Sequence, residues 1–142
     1  MSTLGKAISI AAQAHEGQRD KAGAPYILHP LRVMQKMTTE SERITAVLHD
    51  LIEDTDWTIE RLVQEGFDPA ILAAVDCLTK REGEGYEAFI QRVQLNPLAV
   101  KVKIADLEDN MDGSRLKEVT EADEKRIEKY RNALQVLVNH RC

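Results

Sequence analysis

The stretch LHDLIEDTD, Leu48 to Asp56, puts one histidine and four acids, Asp50, Glu53, Asp54 and Asp56, into nine positions beside an apolar run. Read as part of a helix beginning near Glu42, it sets Ile44, Val47, Leu48, Leu51 and Ile52 on one broad apolar stripe. His49, Asp50, Glu53 and Asp54 fall on the adjoining arc, and the pairs His49/Glu53 and Asp50/Asp54 each stand one turn apart. Like charges at that spacing weaken an isolated helix by roughly 0.2–0.5 kcal/mol per pair. Close carboxylates also push one another's pKa upward unless a cation stands between them. Taken alone, the segment fits a solvated acidic face as well as it fits a metal site.

Working outward, the whole chain carries helical periodicity and no alternating strand pattern. A first helix is predicted from Leu4 to about His15, followed by a polar, Gly-containing loop. Pro30 in YILHPL suits the first turn of a second helix that runs to about Met37. Thr58 marks the cap of a short helix between Asp56 and Glu65. Asp68-Pro69 and Asn96-Pro97 each read as an N-cap followed by a first-turn proline, opening ILAAVDCLT and LAVKVKIADLEDNM. A helix from Tyr86 to Gln94 lies between them, after the loop KREGEG. Thr120 to Asp123 resembles a capping box opening a last helix that ends near Asn139. The expectation is an all-α chain forming one helical bundle over residues 1–142.

The bulk numbers agree. With 142 residues, 43% hydrophobic but only 4% aromatic, the core must be built from aliphatic side chains, which favour helices. A net charge of −5 argues against a general nucleic-acid binder. No apolar run approaches the length of a bilayer span, so no membrane partner is expected. Two cysteines, Cys77 and Cys142, form no spaced framework, and with no secretion signal at the N-terminus the expected compartment is the cytoplasm. Nothing in the sequence fixes an oligomeric state.

Three further segments bear on the acid cluster. His29 precedes Pro30 at the mouth of the second helix. Asp106 interrupts an otherwise apolar and lysine-bearing run, where Val100, Ile104, Leu107 and Met111 form the core stripe and Asp106 and Asn110 share another face. His29, His49, Asp50 and Asp106 could converge on one ion. Two imidazoles and two carboxylates suit Mn²⁺, Fe²⁺ or another first-row divalent ion, and the lack of a thiolate speaks against a structural zinc site.

The order His29, His49-Asp50, Asp106 resembles the H…HD…D signature of HD-domain metal phosphohydrolases. AHEGQ (Ala14 to Gln18), GAPYILHP (Gly23 to Pro30), AVLHDLIEDT (Ala46 to Thr55), LTK (Leu78 to Lys80) and KIADLEDNM (Lys103 to Met111) are similar to the hydrolase domain of the RelA/SpoT family. The length is like that of the small alarmone hydrolases, the animal Mesh1-type proteins among them. The resemblance spans about Ala11 to Val136. It implies an all-helical HD domain that binds Mn²⁺ and removes the 3′-pyrophosphate of (p)ppGpp, giving GDP or GTP and pyrophosphate. It assigns His29, His49, Asp50 and Asp106 as metal ligands, and Glu53 and Asp54 as the pair that orients or activates water.

The nucleotide side of the pattern departs more. Asp20 and Lys21 stand where the family carries an Arg-Lys pair, with Arg19 one residue early. The usual ADRLHNM becomes ADLEDNM, with Leu107, Glu108 and Asp109 in the altered positions. Candidate substrate-binding residues are Arg19, Lys21, Lys80, Lys103, Asn110, Arg115 and Tyr130; for the cations a solvated surface role is the competing reading. Two alternatives follow: an HD phosphatase acting on another phosphorylated nucleotide such as NADPH, and a non-catalytic module that senses a nucleotide or metal. The intact Glu53-Asp54 pair favours turnover over sensing alone.

Overall fold

The computed structural model describes residues 2–112, 116 and 118–140. Among them, nine helical segments follow one another: α1 Leu4–Ala14, α2 Leu28–Gln35, α3 Glu40–Leu48, α4 Leu51–Asp54, α5 Ile59–Gln64, α6 Pro69–Leu78, α7 Tyr86–Val93, α8 Pro97–Met111 and α9 Glu121–His140. There is no strand among the described residues, only an isolated bridge between Arg19 and Pro25. Fold class and helix order are those read from the sequence.

The caps explain where the helices begin. Thr3, Thr58, Asp68 and Asn96 each accept a backbone N–H from the first turn that follows, and Pro69 and Pro97 occupy the turn where no N–H is needed. Thr39 and Glu42 form a reciprocal capping box at the start of α3. Thr120 and Asp123 do the same ahead of α9: each backbone N–H donates to the other's side chain.

α3 lies at the centre. Ile44 to His49 are all buried, because α1, α2, α6 and α8 pack around this helix. One core cluster joins Val33, Leu78, Phe89, Val100, Val102, Leu107 and Leu137 from α2, α6, α7, α8 and α9. A second joins Ile10, Val47, Leu48, Leu51, Leu62 and Ile71 on the α1, α3, α5 side, with Ile52 only partly buried against it. Burying a side chain of this size is worth roughly 1.5–3 kcal/mol. Met34 touches both clusters, and the polar site lies where α2, α3 and α8 meet.

Two expectations need correction. The third helix is not continuous through the acid cluster: α3 stops at Leu48, His49 and Asp50 form a turn, and α4 restarts at Leu51. The reason is local. The Ala46 carbonyl receives the His49 backbone N–H at 3.3 Å and its ring Nδ1 at 2.6 Å. In an unbroken helix that carbonyl would serve the N–H of Asp50. The second correction concerns α8, which is buried on more than one stripe: Val102, Ala105, Asp106 and Asp109 are buried, while Ile104 and Met111 are only partly so.

Candidate metal centre

The break after α3 turns His49 and Asp50 out of the core stripe and toward α2 and α8. His29, the second residue of α2, and Asp106, in the third turn of α8, meet them there. One ligand atom from each of His29, His49, Asp50 and Asp106 lies within 4.8 Å of every other. His29 Nε2 is 2.8 Å from Asp106 Oδ1 and 3.5 Å from Asp50 Oδ2. His49 Nε2 is 3.0 Å from Asp50 Oδ2 and 3.2 Å from Asp106 Oδ1.

Both imidazoles turn Nε2 inward and have an acceptor at Nδ1: the Ala46 carbonyl for His49, and Asp109 Oδ2 at 2.6 Å for His29. An acceptor at one ring nitrogen holds the proton there and leaves the other as a ligand atom. The donor set therefore fits a divalent cation: two nitrogens and two carboxylate oxygens around one point, with both rings already oriented. Among the described residues this is the one grouping of that kind.

The electrostatics express the same crowding. Burial opposes ionisation of Asp106, yet Lys103 and the two histidines hold its carboxyl well below the usual range. Burial likewise works against Asp50, and the charge of His49 prevails and lowers it. Burial opposes protonation of both histidines, but their carboxylate neighbours outweigh it and raise both pKa values. Lys103 Nζ sits 2.9 Å from Asp106 Oδ2 and Asn110 Nδ2 donates to Oδ1 at 3.0 Å, so Asp106 is held from both sides.

Glu53 and Asp54 stand on α4 at the solvent edge of the cluster. Loss of solvation raises both carboxyls above their ordinary range, and the charge on Asp50 adds to it. Glu53 Oε1 accepts the Lys80 backbone N–H at 2.6 Å, and the Asp54 backbone carbonyl accepts from Gln18 Nε2 at 2.9 Å. A raised carboxyl is a stronger base, the property that a water-handling pair needs.

Beside the cluster opens a cavity of about 310 Å³. Of the candidate substrate residues, Arg19, Lys21, Asn110 and Tyr130 line it, along with His29. Lys80 and Lys103 do not: Lys80 lies on the loop that meets Glu53, and Lys103 is engaged with Asp106. Arg115 lies outside the described residues. Asp20 also lines the cavity, with its Oδ1 accepting the N–H groups of Ala22 and Ala24 in its own turn. Gly23, at φ +87°, closes that turn in a conformation that favours glycine. Leu107 is fully buried in the core and Glu108 is exposed away from the cavity lining.

Three site residues escaped the sequence reading. Tyr26 donates its hydroxyl to Asp50 Oδ2. Asp109 accepts from His29 and from Arg32, whose Nε and Nη2 reach its two oxygens at 2.7 and 2.9 Å. Arg32 also lines the cavity. The available signal was spacing: Tyr26 and Arg32 lie three residues either side of His29, and Asp109 three beyond Asp106.

Comparison with known proteins agrees with this geometry. The family model described as HD domain matches residues 7–138. Over 150 aligned residues the chain is 33% identical to a probable GTP pyrophosphokinase of Mycobacterium leprae, covering 96% of this chain and 18% of that protein. It is 32% identical to a guanosine-3′,5′-bis(diphosphate) 3′-pyrophosphohydrolase of Aquifex aeolicus, covering 75% of this chain and 17% of the relative. The chain thus spans less than a fifth of the length of these relatives. Among solved structures, one described as a metazoan ortholog of SpoT that hydrolyzes ppGpp and plays a role in starvation responses superposes with a TM-score of 0.76 at 22% identity, covering 96% of this chain and 85% of that one. Its helical fold is the fold seen here. With the HD pattern matched from α1 to α9 and His29, His49, Asp50 and Asp106 gathered at one point, this chain belongs to the HD-domain family.

Proposed function

We propose that this chain is a Mn²⁺-dependent hydrolase that removes the 3′-pyrophosphate of (p)ppGpp, giving GDP or GTP and pyrophosphate. The observation that carries the reading is the convergence of His29, His49, Asp50 and Asp106 beside the Glu53-Asp54 pair, with His29 also lining a cavity that Arg19 and Lys21 share. The name of the Aquifex aeolicus relative and that of the metazoan SpoT ortholog support the substrate. Mn²⁺ is the ion that the nitrogen and oxygen donor set and the family resemblance favour, with other first-row divalent ions as alternatives.

His29, His49, Asp50 and Asp106 would hold the metal, which when bound polarises a phosphoryl oxygen and makes water a better nucleophile. Glu53 and Asp54 face the same space from the solvent side. One takes the proton of the attacking water and the other fixes the direction of attack, a contribution of roughly 10²–10⁴-fold for a placed acid–base group. Arg19 and Lys21 supply positive charge to a polyanionic substrate along the cavity wall. Tyr130 offers a ring face and Asn110 an amide near the metal ligands.

The departures at Leu107 and Glu108 do not oppose an anionic ligand, since Leu107 is in the core and Glu108 lies outside the cavity lining, whereas Asp20 keeps a negative charge in the lining between Arg19 and Lys21. We further propose one HD unit over residues 1–142, acting on a small nucleotide in the cytoplasm. No helix among the described residues is long and apolar enough to cross a membrane.

The test is product release by Mn²⁺-loaded protein on ppGpp, pppGpp, GDP, GTP and NADPH, with a metal-free control. Metal-dependent turnover of the two alarmones alone is the expected outcome. Phosphate release from NADPH without alarmone turnover would instead establish the phosphatase alternative. Mn²⁺ binding with no turnover of any of the five would move the sensing module to the front.

A further inference from the structure

We propose that Asp109, clamped by Arg32, is a positioning residue that sets His29 as a metal ligand; the inference rests on the metal site proposed above. An imidazole binds a cation through one nitrogen when its proton is kept on the other. Here the second nitrogen meets a carboxylate: His29 Nδ1 donates to Asp109 Oδ2 at 2.6 Å, with Asp109 only 5% exposed. The Arg32 fork then reaches both oxygens of the same carboxylate and fixes its plane.

The geometry is an interlock of two helices. His29 and Arg32 stand three apart on α2, and Asp106 and Asp109 three apart on α8. Asp106 faces Nε2 of the ring and Asp109 faces Nδ1, so successive turns of α8 grip the two nitrogens of one imidazole. A carboxylate at Nδ1 makes the opposite nitrogen more electron-rich and the metal bond stronger. His49 has no such side-chain support, since its Nδ1 rests on the Ala46 backbone carbonyl. In the RelA/SpoT pattern that this chain resembles, the position of Asp109 carries an imidazole. The Arg32-Asp109 clamp is therefore a feature of this chain rather than of that pattern.

The competing role is a plain tie between α2 and α8 that serves folding alone. Mn²⁺ affinity, measured by calorimetry on the full chain, separates the two, with the metal-free melting temperature as the second readout. Asp109→Ala should weaken Mn²⁺ binding roughly 10–100-fold. Asp109→Asn, which keeps an acceptor oxygen but not the charge, should recover part of that loss, and Arg32→Met should show a smaller weakening. The double variant Arg32→Met, Asp109→Leu leaves no unpaired guanidinium, so its metal-free melting temperature should stay above that of Asp109→Ala while its Mn²⁺ binding stays weak. It also carries the test if Asp109→Ala does not fold. Wild-type Mn²⁺ affinity in any folded Asp109 variant overturns the inference. Absence of Mn²⁺ binding in the wild-type chain would overturn the metal site itself and this inference with it, which is a different result from binding that ignores Asp109.

Discussion

The backbone N–H of Lys80 donates to Glu53 Oε1 at 2.6 Å, tying the loop after α6 to a carboxylate 27 positions earlier in the chain. That loop is itself held by Arg92 on α7. The guanidinium reaches both oxygens of Glu84 and the carbonyls of Cys77 and Thr79, while Glu84 Oε1 accepts the Arg81 N–H. Arg92→Met keeps an apolar stem beside Phe89 but releases the loop. Stability should fall by about 2 kcal/mol, since several charge-assisted hydrogen bonds go together. Turnover should fall by roughly tenfold or more through misplacement of Glu53, with Mn²⁺ affinity unchanged. Denaturant unfolding, steady-state kinetics and calorimetry check the three; unchanged turnover would detach the loop from the chemistry.

Mn²⁺ should stabilise the native chain by mass action, by about 2.7 kcal/mol at a hundredfold excess over its dissociation constant. Asp50→Asn removes one ligand charge at the least buried member of the set and should abolish most of that gain. Thermal melts with and without Mn²⁺, followed by chelator, read the effect. An equal Mn²⁺ shift in both proteins would remove Asp50 from the ligand set.

Glu53→Gln and Asp54→Asn should each lower turnover by roughly 10²–10⁴-fold while leaving Mn²⁺ binding within a few fold. The expected split follows from their place on α4, at the rim rather than among the four converging atoms. Loss of metal binding in these variants would make them ligands instead.

Sequence reasoning reached the helices because their punctuation is chemical: Asp68-Pro69, Asn96-Pro97 and Thr120…Asp123 start helices for reasons local to those residues. It picked out His29, His49, Asp50 and Asp106 through their order along the chain, and the fold gathers these four at one point. The turn at His49-Asp50 was not legible, because it depends on a ring nitrogen taking a carbonyl that the helix would otherwise use. Asp109 escaped for a related reason. Its partners, His29 and Arg32, lie 80 and 77 positions away, and only the packing of α2 on α8 brings them within reach. Read alone, Asp109 is only one of the altered positions in ADLEDNM; in the fold it accepts from both His29 and Arg32.

Stability should also carry an acid limb from Glu42. Its bond to Lys101, at 2.8 Å, and the N–H groups of Thr38 and Thr39 bring its carboxyl from the usual 4.5 to about 2, against a smaller opposing effect of burial. A depressed folded-state pKa gives stability that is present above the ordinary value and lost as pH falls through the folded one. Wild type should therefore exceed Glu42→Gln by about 1 kcal/mol near pH 6, with the difference fading between pH 4.5 and 2. Urea midpoints across that range read it; a gap independent of pH would point to packing rather than charge.

The most direct measurement is the identity of the products when Mn²⁺-loaded protein meets ppGpp, run beside Asp106→Asn. GDP and pyrophosphate in equal amounts from the wild-type chain, and neither from the variant, is the expected result. Orthophosphate in place of pyrophosphate, or equal turnover by the variant, would contradict a 3′-pyrophosphohydrolase centred on His29, His49, Asp50 and Asp106.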